Sequence, residues 1–248
     1  MTIFLAGGTP ATTPGDAYDL FVQQAQHQGE RIAIAVPGSH AEAVDAVPEY
    51  AEPILRRWPA AQIEPLWLVG AHETSWPDNP AGLAGIVLGD GHMPDCLDSL
   101  AVHRSEIVRL IHRGAPLFGF GAGAMATSRH SIAGGWHYQG HQVASQDVSG
   151  GIDELTIRDG LGLIGVTVEV HADTATVLER AIAALHISQA ASAVTLDSGV
   201  CLSVEAVSGR THTFGAGRLT WIWQHGDQTV LRFENASGAS TPAPASEE

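Results

Sequence analysis

Cysteine, positive charge and long apolar runs are all scarce in this sequence, and each shortage excludes something. Two cysteines, Cys96 and Cys201, are too few for a disulfide framework and lack the paired spacing of a zinc site, so a reduced interior is expected. Lysine and arginine together number 12 against 27 aspartates and glutamates, giving a net charge of -15. Such a surface repels nucleic-acid phosphates and anionic lipid, so neither is expected as a partner, and solubility is the simplest reading of the acidity. No apolar stretch approaches the ~18 residues of a membrane span. The opening Met1-Thr2-Ile3-Phe4-Leu5-Ala6-Gly7-Gly8 has no basic leader, which predicts a cytoplasmic protein.

What is present is a globular chain. A hydrophobic share of 44% with only 16% charged residues excludes intrinsic disorder and suits strands that are apolar on both faces. Short apolar runs alternate with longer amphipathic ones, the rhythm of βαβ units. Strands are expected near Ile3–Ala6, Arg31–Val36, Glu64–Val69, Gly85–Leu88, Pro116–Gly119 and Val166–Val170. Helices are clearest at Pro94–His112, where Leu97, Leu100, Ile107, Val108 and Ile111 form a stripe, and at Thr174–Leu185, with Asp173 placed as its cap. After about residue 190 the runs become closely spaced and β-like: Ser192–Leu196, Val200–Ala206, Arg218–Trp223 and Thr229–Phe233, with turns at Ser208-Gly209 and Gly226-Asp227. The expected fold is therefore α/β, a mostly parallel doubly wound sheet flanked by helices, with an antiparallel extension of that sheet at the C-terminal end. One domain over residues 1–234 and a disordered Ser/Ala/Pro tail over 235–248 complete the layout.

The most informative segment is Pro116-Leu117-Phe118-Gly119-Phe120-Gly121-Ala122-Gly123-Ala124-Met125-Ala126. An apolar strand enters a Gly-x-Gly-x-Gly turn and then small, helix-compatible residues, which is the setting of a nucleophile elbow. In such an elbow the central residue takes a strained conformation, and flanking glycines let strand and helix approach. Here the central residue is Gly121, which has neither a nucleophile nor a proton to give up.

This segment resembles the elbow of the cyanophycinase and peptidase E family of serine peptidases, which reads Gly-x-Ser-Ala-Gly-Ala. Gly119, Ala122, Gly123 and Ala124 match, and Gly121 stands where the serine would be. Further blocks fall in family order. Gly85-Ile86-Val87-Leu88-Gly89-Asp90-Gly91-His92 is similar to the strand whose terminal glycine pair lends N–H groups to the oxyanion hole, with Asp90 in place of the second glycine. Met125–Trp136 is similar, more loosely, to the stretch after the elbow. Val166-Thr167-Val168-Glu169-Val170-His171 looks like the block that carries the general-base histidine, and His171 falls on it. Leu196-Asp197-Ser198-Gly199 resembles the block carrying the acidic triad member. Ser198 occupies that position and supplies no carboxylate, leaving the adjacent Asp197 as a substitute.

The resemblance covers residues 1 to about 235 and implies a class I glutamine amidotransferase-like fold. It further implies a degenerate peptidase homologue whose crevice binds a peptide or amino-acid-like ligand, or a protein partner, without cleaving it. Gly7, Gly8, Gly89, Asp90, Gly91, His92 and Ala122 are the expected ligand-binding residues. The rival reading is an active hydrolase or amidotransferase-like enzyme acting on an amide bond, with His171 as base and no serine or cysteine at the elbow. His171 reads equally well as an ordinary hydrogen-bonded histidine.

Neither cofactor nor metal is expected. Among 13 histidines, His137 and His141 have i, i+4 spacing, but Gly134, Gly135 and Gly140 argue against a helix there. Cys96 is a displaced-nucleophile candidate, although its place in a helical stripe favours a buried small hydrophobe, as does the strand context of Cys201. Trp58 and Trp76, taken as exposed, leave a homo-oligomer or a protein partner open.

Overall fold

The computed structural model describes residues 1–71, 73–226, 228–236 and 240–241. Its first half alternates strands and helices: β1 (Thr2–Ala6), α1 (Gly15–Gln26), β2 (Arg31–Pro37), α2 (His40–Arg57), β3 (Gln62–Leu68), β4 (Leu83–Leu88), α3 (Met93–His112), β5 (Leu117–Phe120) and the single turn α4 (Ala122–Met125). Short strands then dominate: β6 (His130–Gly134), β7 (His137–Tyr138), β8 (His141–Gln142), β9 (Thr156–Asp159) and β10 (Thr167–Glu169). After α5 (Leu178–Ser188) come β11 (Ser192–Leu196), β12 (Val200–Glu205), β13 (Thr211–Gly215), β14 (Arg218–His225), β15 (Gln228–Asn235) and β16 (Ser240–Thr241).

The main sheet has the order β16-β13-β12-β1-β5-β4-β2-β3, and its five strands from β1 to β3 are parallel. Both faces of its inner strands are covered, which is why β1, β2, β4 and β5 are apolar along nearly their whole length rather than alternating. In β1, Phe4 and Ala6 face α1 and α2, while Ile3 and Leu5 face the side that carries α3. On the first side an aromatic cluster fixes the packing: Phe4, Tyr18 and Phe120 all lie within 5.2 Å of the Phe118 ring, centroid to centroid. The Cys96 and Cys201 side chains are buried in these two layers, and burial pushes both thiols above their ordinary pKa.

The C-terminal half supplies the expected antiparallel strands but divides them between two sheets. Only β12, β13 and β16 extend the main sheet, antiparallel beyond β1. The strands β10, β11, β14 and β15 form a second sheet, with β10 parallel to β11 and the rest antiparallel. The switch between sheets occurs in the three residues after β11. Asp197 N–H donates to the Arg218 carbonyl in the second sheet, while Val200 N–H turns back onto the Asp197 carbonyl and starts β12 in the first. A run of apolar β-formers announces strands but not which sheet receives them. The strands β6, β7, β8, β9, β13 and β16 are announced by no such run.

The helix expected from Thr174 begins instead at Leu178, without a side-chain cap. Thr174 and Ala175 donate their N–H groups to the His171 carbonyl, forming a separate turn, and the Asp173 carboxylate is engaged elsewhere. Trp58 proves buried, and Trp76 stacks on His103 at 4.3 Å. Asp227 and most of the residues read as a disordered tail lie outside the described set. Asn235 nevertheless closes β15, and the backbone of Ser240–Thr241 pairs with β13. Among the described residues no helix is long and apolar enough to cross a membrane.

Glu169, at the end of β10, and Arg180, on α5, form a bidentate pair at 2.8 and 2.9 Å with side chains only 2% and 3% exposed. Arg180 Nη1 also donates to the carbonyls of Gly135 and Val148, so one guanidinium ties β10, α5 and two loops together. Removing one partner strands a buried charge. Arg180→Met is therefore expected to lower unfolding stability by about 3–5 kcal/mol, and the double variant with Glu169→Met by clearly less. Urea unfolding of the three proteins checks this, and equal losses would contradict it.

Candidate functional site

Four strand ends meet at the carboxyl edge of the main sheet. Gly7 follows β1, Gly89 and Asp90 follow β4, Gly121 follows β5, and His171 follows β10 from the second sheet. Open α/β sheets place their ligand crevice at this edge.

Gly121 has φ 51° and ψ -120°, a conformation that side-chain-bearing residues rarely adopt. The turn is held tightly: Gly123 N–H donates to the Gly89 carbonyl at 3.2 Å, and a Cβ on Gly119 would come within 2.7 Å of the Ala124 backbone. The elbow geometry is thus complete without its side chain. In that side chain's place is another. A Cβ built on Gly121 falls inside the carboxylate of Asp90.

Asp90 Oδ1 accepts hydrogen bonds from the N–H groups of Gly91 and Ala122, both at 2.8 Å. Ala122 follows the centre of the turn, where an elbow's N–H commonly serves an oxyanion hole, and Gly91 lies one residue beyond the Gly89-Asp90 pair to which the resemblance assigns the other donors. Asp90 Oδ2 lies 3.6 Å from His171 Nε2, an ion-pair distance rather than a hydrogen bond. Burial alone would raise the Asp90 pKa, but the His171 imidazole and the two N–H donors outweigh it and hold the carboxyl below its ordinary value. The Asp90 carboxylate in turn raises the pKa of His171 against the opposing effect of burial. His171 itself has φ 57°, a left-handed backbone fixed by its N–H to the Gly7 carbonyl (2.9 Å) and by the turn its own carbonyl accepts.

The positions expected for the acidic member do not face His171 with a carboxylate of their own. Ser198 donates through N–H and Oγ–H to Asp173 Oδ1, at 2.8 and 2.7 Å. Asp197 Oδ2 accepts from the Arg218 N–H at 2.8 Å, so it braces the second sheet. Asp173, read from sequence as a helix cap, is the carboxylate whose charge acts on His171 from this side.

Beside the elbow, against Asp90 and Ala122, opens a cavity of about 320 Å³ whose lining includes Gly91, His92 and His171 together with Met93, Met125, Ile132 and Val170. His92 is braced at the rim, with Nδ1 2.8 Å from Asp95 Oδ2 and Nε2 donating to the Gly150 carbonyl. Gly7, Gly8 and Gly89 are not among the lining residues. A Cβ on Gly7 or Gly8 would strike the backbone of Asp197 or Ser198, and one on Gly89 would press on Tyr50, so these glycines allow close packing beneath the site. Among the described residues no three His, Cys, Asp or Glu side chains are grouped to hold a metal, and His137 lies on β7 beside Asp153.

The sequence matches no protein-family model, and no curated protein resembles it. Among solved structures the chain is similar to a peptidase from an acI-B1 Actinobacterium, with a TM-score of 0.67 and 16% identity over 98% of this chain and 96% of that one. A Peptidase E protein from Listeria monocytogenes EGD-e aligns over 93% of this chain and 97% of its own, at a TM-score of 0.47 and 14% identity. The first likeness establishes a fold shared with a solved peptidase, a mostly parallel α/β sheet with flanking helices and added antiparallel strands. Activity does not follow from fold.

Two outcomes are expected. Gly121→Ala should destabilise the protein by at least about 1–3 kcal/mol from backbone strain alone, and adding Asp90→Gly should recover part of the loss because it frees the space. Strictly additive urea-unfolding losses would contradict this coupling. The second concerns pH. Asp90, with a lowered folded pKa, contributes stability that is present above the ordinary carboxylate value near ~4 and lost as pH falls through the folded one. His171, with a raised folded pKa, contributes stability that is full below about 6.5 and lost as pH rises through its folded value. Relative to His171→Gln, the wild-type urea midpoint should therefore be highest between these limits and decline on both sides. Parallel profiles would contradict the pairing.

Proposed function

We propose that this protein binds a peptide or amino-acid-like ligand in the cavity beside the elbow and does not cleave amide bonds by acyl transfer. The observation that supports this reading is the seat of the Asp90 carboxylate, which accepts from both Gly91 and Ala122. Amide cleavage through an acyl intermediate needs a hydroxyl or thiol nucleophile and free N–H donors for the oxyanion. Here the donors already hold an anion, and a second negative oxygen beside it would be repelled.

The cavity suits such a ligand. It combines an apolar wall of Met93, Met125, Ile132 and Val170 with a few convergent polar groups. That the solved neighbour is a peptidase supports a peptide-like ligand as a fold-level analogy only. A hydrolase in which His171 activates water directly on an amide meets the same obstacle, because its tetrahedral intermediate needs the same donors.

The purified protein is expected to resist fluorophosphonate labelling and to leave aspartyl dipeptides and glutamine intact, while a dipeptide ligand raises its Tm in a manner lost in Asp90→Ala. A ligand at about 100 times its Kd contributes about 2.7 kcal/mol, well within reach of a thermal shift. Turnover of a dipeptide or glutamine that disappears in His171→Ala would overturn the reading. Gly121→Ser is expected to restore little activity, since the new side chain meets Asp90 and no carboxylate stands at Ser198. Strong peptidase activity in that variant would show that the site had been complete but for one atom group.

A further inference from the structure

The carboxylate that closes this site to acyl transfer is itself placed like a nucleophile. Asp90 projects from the end of β4 into the space above the elbow, and its side chain is 44% exposed, facing the cavity. One oxygen, Oδ1, is fixed by two N–H donors at 2.8 Å, while Oδ2 takes neither of them and lies at ion-pair distance, 3.6 Å, from His171 Nε2. Carboxylates form covalent intermediates in several enzyme classes, and a neighbouring imidazole is the usual means of activating water against such an intermediate.

We propose that Asp90 attacks saturated carbon, and that His171 then activates the water that hydrolyses the resulting ester, converting an alkyl substrate with an anionic leaving group, such as an alkyl halide, into an alcohol. The choice of electrophile follows from the hole. Attack on a carbonyl would build an oxyanion on the substrate, and the N–H groups of Gly91 and Ala122 are already engaged by Asp90. Attack on saturated carbon builds none there. The only oxyanion arises in the second step, on the Asp90 carbonyl, and that oxygen already sits between the N–H groups of Gly91 and Ala122.

In the first step Oδ2 supplies an electron pair to carbon as the carbon–halogen bond breaks, and the halide leaves with that bond's pair. In the second, His171 Nε2 takes a proton from water while the water oxygen bonds to Cγ of Asp90, and negative charge moves to Oδ1. Collapse expels the alkoxide, which receives the proton from His171, and the carboxylate is regenerated with one oxygen from water. The sum is alkyl halide plus water to alcohol, halide and a proton. Met93, Met125, Ile132 and Val170 offer the alkyl chain an apolar wall. This inference rests on the reading that the elbow has left acyl transfer and goes beyond ligand binding.

The test uses the full chain with n-butyl bromide in heavy-oxygen water, following bromide release and the mass of the Asp90 peptide. The expected result is bromide release by the wild type with heavy oxygen entering Asp90, loss of release in Asp90→Asn, and accumulation of a butyl ester on Asp90 in His171→Gln. The labelling in the wild type stands whether or not either variant folds. Absence of bromide release from the wild type, or heavy oxygen in butanol alone with none in Asp90, would overturn the proposal. Neither of those results touches the ligand-binding reading, which falls only to amide turnover.

Discussion

One carboxylate organises the edge of this sheet. Asp90 reaches from the end of β4 across to the turn after β5, and its Oδ1 takes the N–H groups of Gly91 and Ala122 at the same time. That single acceptor satisfies two backbone donors which the sharp turns would otherwise leave without partners, and it does so as an anion, roughly doubling the strength of each bond. It also requires Gly121, because any side chain there would occupy the same volume. The second oxygen faces His171, whose left-handed backbone is held by β1 and by its own turn. Glycine at 121, aspartate at 90 and histidine at 171 are in this sense one arrangement.

This changes how Gly121 reads. Taken by itself, it is a turn residue without a side chain. Set beside Asp90 it is one half of an arrangement in which a carboxylate from the neighbouring strand fills the space that a side chain at 121 would take. On the acidic side of the site, Ser198 has no carboxylate but hydrogen-bonds one, Asp173, whose charge acts on His171. The site thus carries two ordered carboxylates, Asp90 and Asp173, that act on one histidine.

Much of this was legible in the residues. The parallel strands from β1 to β5 announce themselves as apolar runs, the Gly119–Ala124 turn by its small residues, and His171 by its place at a strand end. Asp90 could be noticed as a departure from a glycine pair, but not placed. Nothing in spacing says that its side chain would fold back over residue 121, since that depends on the distance between β4 and β5 in the sheet. Two departures at positions that touch in the fold were the available signal. The second sheet was hidden for a related reason: β11 and β12 are separated by only three residues, and local pattern does not record that the hydrogen bonds of Asp197 pull them apart. The Glu169–Arg180 pair was equally invisible, since nothing in the spacing of the two residues shows that the fold buries them against each other.

The account stands on the Asp90 carboxylate being ionised and seated on its two donors, and nuclear magnetic resonance observes this directly. In a pH titration, the Asp90 carboxyl carbon is predicted to titrate below the ordinary aspartate range, with the amide protons of Gly91 and Ala122 shifting at the same midpoint as their hydrogen bonds to the carboxylate weaken. An ordinary Asp90 midpoint, with those two amides indifferent to it, would contradict the account.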